Sequence, residues 1–411
     1  MKKLLLLLIL HSTLYIVNCP AQQYGWMDIS NNLPSSNGTV TLPDMHWISD
    51  NEGWICSGLL GEIYHTTDGG KTFEIQTTQF STNAIYMLNS SEGYAGGYNG
   101  RVYKTTNGGA DWIVHGSIGL SLRDIDFPPN SDSGYCCGDQ GKIYKITSSG
   151  ISSMYTGLNS NLKSISLPNE LQGWACGGSI FVHYINNIWV TDQSYPSESY
   201  TAIFMVNNIS GWAAGDNGII IHTEDGLIWN RQVNPDSLKE SLYDIIFLNS
   251  NEGWIVGSSG RVLHTTNGGA DWNIILDGWT TDMLLSVQFT SSTNGYIIGN
   301  NKTLFKYGLI TDVDEQLTQP TEFKLGQNYP NPFNPSTSIQ YAIGFSQFVQ
   351  LKVYDVLGNE IATLVNEEKG PGTYEVMFNP ESSIKYPASG IYFYQLKAGE
   401  YLETKKMIYL K

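Results

Sequence analysis

The sequence predicts an all-β protein in which a seven-bladed β-propeller is followed by a small β-sandwich. Three observations lead to this prediction. One unit recurs seven times, each copy contains strand-like runs of β-branched and aromatic residues, and the last copy lacks a run that an unassigned segment near the start of the chain could supply. A fixed period of a few tens of residues is typical of propellers and solenoids.

The repeat is aligned on a Gly followed by Trp or Tyr, and successive copies are separated by 40, 41, 39, 38, 42 and 42 residues. A second Gly follows the aromatic residue by three or four positions in every copy. The aligned pairs are Gly53-Trp54, Gly93-Tyr94, Gly134-Tyr135, Gly173-Trp174, Gly211-Trp212, Gly253-Trp254 and Gly295-Tyr296.

Each copy is predicted to form four short strands. In the sixth copy the runs are LYDIIFL, GWIVG, RVLHTT and WNIIL, separated by Gly, Asn and Ser. The G-x-x-G stretch suits a tight hairpin, because Gly reaches positive φ without steric cost. Four-stranded sheets repeated seven times predict a seven-bladed propeller. An extended β-solenoid is the alternative, although its coils are usually shorter than this unit.

The two ends of the repeat array favour a closed ring. The seventh copy has strands near 284–290, 295–299 and 303–307, after which the pattern stops. The segment 25–30, GWMDIS, precedes the first copy and carries Trp26 at the position of the other fourth-strand tryptophans. Pairing this segment with the last copy would remove the exposed edges of an open array. A solenoid has no reason to split a unit in this way.

Four of the copies contain the turn sequences TTDGGKTF, TTNGGADW (twice) and HTEDGLIW, in which the oxygen of an Asp or Asn side chain can accept hydrogen bonds from nearby backbone N–H groups. These turns resemble the Asp-box, or BNR repeat, which implies a structural turn between the third and fourth strands, opposite the usual ligand face. The Asp-box residues are Asp68, Asn107, Asp225 and Asn267. Over residues 25–308 the complete unit resembles the propellers of photosystem II stability and assembly factors.

Residues 1–21 are predicted to be a secretory signal peptide, since Lys2 and Lys3 precede an apolar run that is too short to span a membrane. Cleavage is expected after Ala21, where Cys19 and Ala21 supply the small residues of the site. A lipoprotein attached through Cys19 is the alternative. No integral membrane segment is expected once the signal is removed.

The propeller is assigned to residues 22–308, an acidic linker to 309–322, and a second domain to 323–411. In the last segment Ile339, Tyr341 and Ile343 alternate with other residues, which predicts short antiparallel strands. Such strands over this length predict a small Ig-like β-sandwich.

The last segment closely resembles the type A sorting domain of type IX (Por) secretion. The resemblance rests on NYPNPFNP (328–335), VYDVLG (353–358) and ASGIY (388–392) before a Lys-rich end. It implies a Gram-negative cell, recognition of residues 323–411 by the type IX secretion machinery, and release or surface attachment after the domain is removed. An Ig-like appendage that only binds is the alternative.

The charge of the chain argues against several partners. The whole chain has a net charge of −16, and its propeller and linker hold 12 basic and 29 acidic residues. A propeller and linker with this excess of negative charge repel phosphate backbones, so no nucleic-acid partner is expected. No Ca²⁺ loop motif occurs, and the cysteines and histidines lack the paired spacing of a zinc site. We therefore predict neither a metal nor a cofactor, and we expect the cysteines to be small buried residues.

Three classes of function fit an exported propeller: a binding module for protein or glycan, a glycoside hydrolase, and a structural envelope protein. A sialidase-like site needs three converging arginines, but Arg101 and Arg261 occupy one repeat position on different blades. A xyloglucanase-like enzyme would need two propellers with facing carboxylates. No catalytic residue is therefore predicted, and a secreted or cell-surface binding module is favoured.

The candidate binding face lies at the mouth of the central channel, where the first strand of each blade begins. Residues there differ between blades, as a site of mixed donors and acceptors requires, while loops between blades add aromatic anchors. The alternative is that Asp124 and Asp244 only cap loop backbone. The predicted face comprises Asp44, Arg123, Asp124, Lys163, Tyr243, Asp244, Tyr195 and Trp279.

Overall fold

The computed structural model describes residues 24–35, 40–58, 61–78, 80–154, 159–192, 198–276, 279–309, 323–343, 347–370, 372–380, 388–399 and 401–411. The predicted cleavage residue Ala21 and the loop residue Tyr195 lie outside these ranges. Within them, no helix has the length and apolar character that a membrane span requires.

The first 28 strands form seven four-stranded antiparallel sheets, which are the blades of a propeller. The chain opens with β1 (Tyr24–Asp28). Blades 1 to 3 contain β2 (Met45–Trp47), β3 (Gly53–Cys56), β4 (Glu62–Thr66), β5 (Glu74–Thr77), β6 (Ala84–Met87), β7 (Gly93–Gly96), β8 (Arg101–Thr105), β9 (Ile113–Ser117), β10 (Leu122–Asp126), β11 (Gly134–Gly138), β12 (Ile143–Thr147) and β13 (Gly150–Met154).

Blades 4 to 7 contain β14 (Ser164–Asn169), β15 (Gln172–Gly177), β16 (Ile180–Ile185), β17 (Ile188–Asp192), β18 (Tyr200–Met205), β19 (Gly211–Gly215), β20 (Ile220–Thr223), β21 (Asn230–Arg231), β22 (Leu242–Phe247), β23 (Gly253–Gly257), β24 (Val262–Thr265), β25 (Asn273–Leu276), β26 (Leu284–Ser291), β27 (Asn294–Gly299) and β28 (Leu304–Leu309). Single 3₁₀ turns occupy Ser30–Asn32, Asp139–Gly141, Asp216–Gly218, Ser258–Gly260 and Asn300–Lys302.

The ring closes as the sequence predicts, because β1 is the fourth strand of blade 7. It pairs antiparallel with β28, and Trp26 lies opposite Tyr307 while Asp28 lies opposite Phe305. The indole of Trp26 is buried and meets Trp254 edge-on at 5.6 Å between ring centroids. The all-β class, the seven blades and the closure are therefore confirmed.

Each repeat aromatic contacts a matched partner on the neighbouring third strand of its own blade. Where the aromatic is Trp, the residue opposite is His, and where it is Tyr, the residue opposite is Lys. The imidazole stacks on the indole, for example at 3.8 Å between Trp254 and His264. The ammonium group lies over the phenol ring, at 5.4 Å for Lys104 and Tyr94. These contacts form one local pair in each blade.

The identical octapeptide in blades 2 and 6 contacts identical partners in the preceding blades. In blade 2 the carbonyl of Gly108 accepts hydrogen bonds from Trp54 Nε1 at 3.0 Å and from Gln76 Nε2 at 2.8 Å, both in blade 1. In blade 6 the carbonyl of Gly268 accepts the same pair from Trp212 and Gln232 of blade 5, at 3.1 and 2.8 Å. The repeated sequence therefore joins neighbouring blades through hydrogen bonds to its Gly carbonyl, and we call this contact the clamp.

The same bond extends to the other Asp-boxes. Trp174 of blade 4 donates to Gly226 O of blade 5 at 3.3 Å, and Tyr296 of blade 7 donates to Gly69 O of blade 1 at 3.2 Å across the closure. Blade 7 has no such turn, since its third and fourth strands come from opposite ends of the repeat array. The indole nitrogen of Trp254 in blade 6 accordingly has no hydrogen-bond partner among the described residues.

This contrast gives a matched pair of substitutions. Trp212→Phe and Trp254→Phe remove the same atoms from buried, His-stacked indoles, but only the first removes an inter-blade hydrogen bond. We expect Trp212→Phe to lower the free energy of unfolding by about 1 kcal/mol more than Trp254→Phe, the usual net value of one hydrogen bond. Urea unfolding measures the difference, and equal losses would show that the clamp contributes nothing.

The cysteines of the described chain are buried free thiols, as predicted: Cys56, Cys136, Cys137 and Cys176. Burial raises the pKa of the Cys136 thiol to about 12. These thiols are therefore protonated and unreactive packing residues at neutral pH.

The C-terminal segment forms two further sheets. One has the order β29 (Lys324–Leu325), β30 (Thr337–Ile343) and β33 (Gly372–Phe378). The other has the order β32 (Glu360–Lys369), β31 (Gln347–Tyr354), β34 (Gly390–Ala398) and β35 (Tyr401–Tyr409). Alternate residues of β30 and β31 are buried between them, as the sequence pattern predicts. This packing is consistent with an Ig-like sandwich.

The Asn-Pro-rich stretch before β30 is held by the buried side chain of Asn328. Its Nδ2 donates to the carbonyl of Pro330 at 3.1 Å and to Thr337 Oγ1 at 2.9 Å. The hydroxyl of Tyr394 accepts a hydrogen bond from the Asn328 backbone N–H at 2.8 Å and donates to the carbonyl of Gly326 at 2.7 Å. The motif therefore fastens an irregular segment onto the sandwich.

Candidate functional site

Two rings of side chains from the innermost strands surround the central channel, which encloses a cavity of about 250 Å³. Strand registers place one residue of each blade in each ring. The ring nearer the mouth consists of Asp44, Ala84, Asp124, Ser164, Ala202, Asp244 and Ser286. The second ring consists of His46, Tyr86, Asp126, Ser166, Phe204, Ile246 and Gln288.

The three aspartates of the mouth ring connect neighbouring blades. Asp124 accepts from its own following N–H, that of Ile125, and from the N–H of Ile165 in the next blade, both at 2.8 Å. Asp44 and Asp244 likewise each accept from the N–H of the following residue and from an N–H of the next blade, which is blade 2 for Asp44 and blade 7 for Asp244, all at 2.8 Å. The inner edge of each blade has no partner strand, so these carboxylates satisfy N–H groups that would otherwise be buried without acceptors. They cap strand backbone, not the loop backbone considered from the sequence.

The second ring repeats this arrangement with other residue types and was not predicted from the sequence. Asp126 Oδ2 accepts from Leu167 N at 2.6 Å, and His46 Nδ1 accepts from Met87 N at 3.2 Å. Gln288 of blade 7 accepts from Trp47 N of blade 1 at 2.7 Å. A signal was present in the sequence, because these polar residues lie two positions after the mouth ring along strands that are otherwise apolar.

The channel shifts the pKa values of its titratable groups. Burial raises the pKa of Asp124 to about 6 and that of Asp244 to about 7, although backbone hydrogen bonds act in the opposite direction. Burial, reinforced by repulsion from Asp124, holds the pKa of Asp44 well above its usual value. Burial lowers the pKa of His46 to about 4. The channel carboxyl groups of Asp124 and Asp244 therefore remain protonated at pH values at which exposed carboxyl groups are already ionised.

This shift predicts a pH-dependent effect of Asp244→Asn. The unfolded carboxyl ionises near pH 3.9 and the folded one near pH 7, so the folded state holds a proton that the unfolded state lacks between these values. The stabilisation from that proton is present at low pH and is lost as the pH rises through 7. The cost of Asp244→Asn in urea unfolding should thus be smaller near pH 8 than near pH 5. An equal cost at both pH values would contradict the raised pKa.

The other predicted face residues lie at the mouth but outside the channel lining. Arg123 and Tyr243 are the extra residues of β-bulges at the starts of β10 and β22. A bulge adds one residue to the strand and turns its side chain away from the adjacent ladder position. Within the predicted set, the three aspartates line the cavity, and the four other described members lie outside its lining.

Arg123 and Tyr243 are both held by neighbours at the mouth. Arg123 Nε donates to Asp139 Oδ1 at 2.9 Å, and its guanidinium lies 5.8 Å from the ring centroid of Tyr98. Tyr243 accepts from Ser258 Oγ at 3.0 Å. Both side chains are only half-buried, so they combine fixed positions with access from solvent.

The remaining two described members of the predicted face are Lys163 and Trp279. Lys163 is exposed. Trp279 is half-buried and packs on the core between blades 6 and 7. Its ring therefore has a structural role as well as a surface that solvent can reach.

The Asp-box residues hold turns on the opposite face. Asp68 Oδ1 accepts from the N–H groups of Lys71 and Thr72 at 3.0 Å. Partial burial acts to raise the pKa of Asp68, but hydrogen bonds, chiefly from Thr72, outweigh it and lower the pKa to about 2. Asn107 and Asn267 accept from the backbone four residues ahead, and Asp225 accepts from the N–H groups two and three residues ahead.

Comparison with known proteins relates the fold and the C-terminal segment to two families. Residues 182–279 match the model of the photosynthesis system II assembly factor YCF48, and residues 327–410 match the secretion system C-terminal sorting domain. No curated protein sequence matches the chain.

Three solved structures share the propeller fold. YCF48 bound to a D1 peptide is 21% identical, with a TM-score of 0.58 over 70% of this chain and 95% of that one. YCF48 from Cyanidioschyzon merolae is 17% identical, with a TM-score of 0.57 over 69% and 98%. The WD40 β-propeller domain of Doa1 is 10% identical, with a TM-score of 0.58 over 70% and 97%. The chain therefore combines a propeller carrying YCF48-type repeats with a C-terminal sorting domain of the Por secretion system.

Proposed function

We propose that the protein is an exported binding module whose propeller binds a protein or glycan at the mouth of its channel. The sorting domain implies export by type IX secretion to the cell surface or the medium. The binding role is supported by one observation above all: four of the blade interfaces repeat the same hydrogen bond, whereas the residue at the mouth is different in every blade.

The mouth combines several chemical types at one repeat position. The residue immediately before the mouth ring is different in each blade, and the seven are Pro43, Asn83, Arg123, Lys163, Thr201, Tyr243 and Leu285. Asn83 and Thr201 are buried, while Arg123, Lys163 and Tyr243 are accessible. These accessible cationic and aromatic groups suit recognition of one asymmetric ligand.

A peptide segment is the favoured ligand. The similar YCF48 propeller has been solved with a D1 peptide bound, so a propeller of this fold can accept a peptide. Aromatic and arginine side chains such as those at this mouth are also the residue types that most often dominate protein interfaces.

A sialidase-like function receives no comparable support. Arg123 pairs with Asp139, Arg231 pairs with Glu198 and the buried Arg261 pairs with Asp236. The guanidinium of Arg101 lies 4.5 Å from the ring centroid of Phe80. Each arginine thus has a separate neighbour, and we propose no hydrolytic role. Screening the mature propeller against a glycan array and a peptide array tests the binding role, and no binding in either would favour a structural envelope protein.

Replacing Arg123, Tyr243 and Trp279 together by Ala should weaken binding of any ligand found in this screen at least tenfold. Truncation of such anchors commonly costs about 1–2 kcal/mol or more each. Isothermal titration measures the affinity, and thermal unfolding identifies any loss caused by the packing of Trp279. Lys71→Ala with Asp111→Ala on the Asp-box face is the control. Loss of binding from the control pair alone would place the site on that face.

A further inference from the structure

The turns between the first and second strands of blades 4, 5 and 6 share one hydrogen-bonding pattern but differ at their tips. In blades 4, 5 and 6 the side-chain oxygens of Asn169, Asn207 and Asn249 each accept hydrogen bonds from the backbone N–H groups two and three residues ahead, at 2.8–3.1 Å. At the tip, blade 6 carries the polar residue Asn251, whereas blades 4 and 5 carry Leu171 and Ile209.

These two aliphatic tips are exposed and are not needed for the turn. Leu171 is 73% exposed and Ile209 is 51% exposed. The equivalent turn keeps the same hydrogen bonds with Asn251 at its tip, so the fold would accept a polar residue in either place. Exposed aliphatic residues that the fold does not require point to an interaction when they form a contiguous patch.

The Asp-box of blade 5 extends this apolar surface. Its turn carries Leu227 and Ile228, which are 56% and 58% exposed, where the boxes of blades 1, 2 and 6 have small or polar residues. A Cβ placed on the neighbouring Gly226 would lie 3.7 Å from the Cα of Ile209, so the two turns are adjacent. The aliphatic tips of two different loops therefore meet on one face.

A groove of about 820 Å³ continues from these tips across blades 3 to 5. Its walls include Leu171, Ile185, Pro129, Pro168 and Asn208, the last directly before Ile209. We call the exposed residues Leu171, Ile185, Ile209, Leu227 and Ile228 the aliphatic patch.

The surroundings of the aliphatic patch are acidic. Exposed carboxylates on the same turns are Glu170, Glu224 and Asp225, and Asp132 is exposed on the neighbouring turn of blade 3. The nearby cations already have partners, because Lys145 lies 5.9 Å from the ring centroid of Tyr135 and Arg231 pairs with Glu198. The aliphatic patch is thus an apolar surface surrounded by negative charges. Such a surface favours a partner whose apolar centre is flanked by positive charges.

We propose that the aliphatic patch is a second binding surface, separate from the mouth, for a protein segment with an apolar centre flanked by Lys or Arg. The patch and its groove occupy one stretch of blades 3 to 5, so the surface accepts one partner per propeller. It does not depend on the ligand of the mouth.

The probe for this surface is a phage-displayed library of random short peptides, selected on the full mature protein. Selected peptides should combine aliphatic or aromatic residues with Lys or Arg, and their synthetic forms should bind more weakly as salt is raised. The test variant is Leu171→Asn, Ile209→Asn and Leu227→Ser together, which places polar residues on turns that accept them. It should weaken binding of these peptides at least tenfold.

The control variant is Val233→Thr with Leu238→Ser, which removes two aliphatic side chains, 77% and 70% exposed, from the loop between blades 5 and 6 at the mouth. It should leave binding unchanged. Peptides with acidic flanks, or affinities unaffected by the test variant, would overturn the proposal. So would sedimentation showing a dimer of the wild-type protein that the test variant abolishes, since a second copy would then cover the patch. The Arg123, Tyr243 and Trp279 variant should bind these peptides normally, which separates this result from the mouth-face experiment.

Discussion

Deletion of residues 323–411 is expected to leave a folded propeller that accumulates in the periplasm. The segment matches a secretion sorting domain over 327–410, so the truncated protein would lack the signal for crossing the outer membrane. Its own fold should survive, because the core of the C-terminal sheets is built from residues of that segment alone, from Leu325 to Tyr409. Cell fractionation with immunodetection should show nearly complete loss from the surface and the medium.

The matched control transfers the segment instead of removing it. A neutral periplasmic reporter preceded by the signal peptide and followed by residues 309–411 should be exported, whereas the reporter alone should not. Circular dichroism of the truncated propeller verifies that it is folded. If the truncated protein reached the surface or the medium in normal amounts, the sorting role of the C-terminal domain would be wrong.

Trp26→Ala is expected to destabilise the propeller by about 3–5 kcal/mol, the usual cost of truncating a large buried aromatic residue. Trp26 is 3% exposed and contacts Trp254, Phe289 and Tyr307 at ring-centroid distances of 5.3–5.7 Å. These contacts fasten β1 to the last blade, so their loss also weakens the closure of the ring. Chemical denaturation monitored by tryptophan fluorescence measures the change.

Tyr24→Ala on the same strand is the matched control. Tyr24 is half-buried and stacks on Tyr307 at a longer distance of 6.3 Å, so its truncation should cost much less than that of Trp26. Equal effects of the two substitutions would mean that the closure does not depend on the Trp26 contacts. A variant that detaches β1 should also aggregate, because the free edge of β28 would be available for pairing with another chain.

The repeat made most of the fold predictable, because its signals are local. Gly-aromatic pairs, turn residues and strand-length runs recur at a period that only a few architectures share, and the missing fourth run predicted the pairing of residues 25–30 with the last blade. The motifs of residues 323–411 likewise act within one short segment. Such features can be recognised from neighbouring residues without knowing what lies beside them in space.

The candidate face was predicted only in part, and the reason is geometric. One extra residue at a bulge changes which side chains share a direction, so aligning the copies by sequence grouped Arg123 and Tyr243 with the channel aspartates. The hydrogen-bonding pattern of Asp124 and Asp244 was equally hidden, because their second acceptor oxygens serve N–H groups about 40 residues away in the next blade.

The number of blades, their strand order and the ring closure follow from spacing along the chain, and the sorting domain follows from short local motifs, so all four could be inferred from the amino-acid sequence. Which residues meet between blades depends on the folded arrangement of the sheets. The clamp from Trp212 to Gly268 joins positions 56 residues apart, and the proximity of Ile209 to Gly226 depends on two loops folding to the same rim. Contacts of this kind arise from how the sheets pack, and a side chain's burial, pKa and accessible surface are set by that packing and not by its neighbours in sequence.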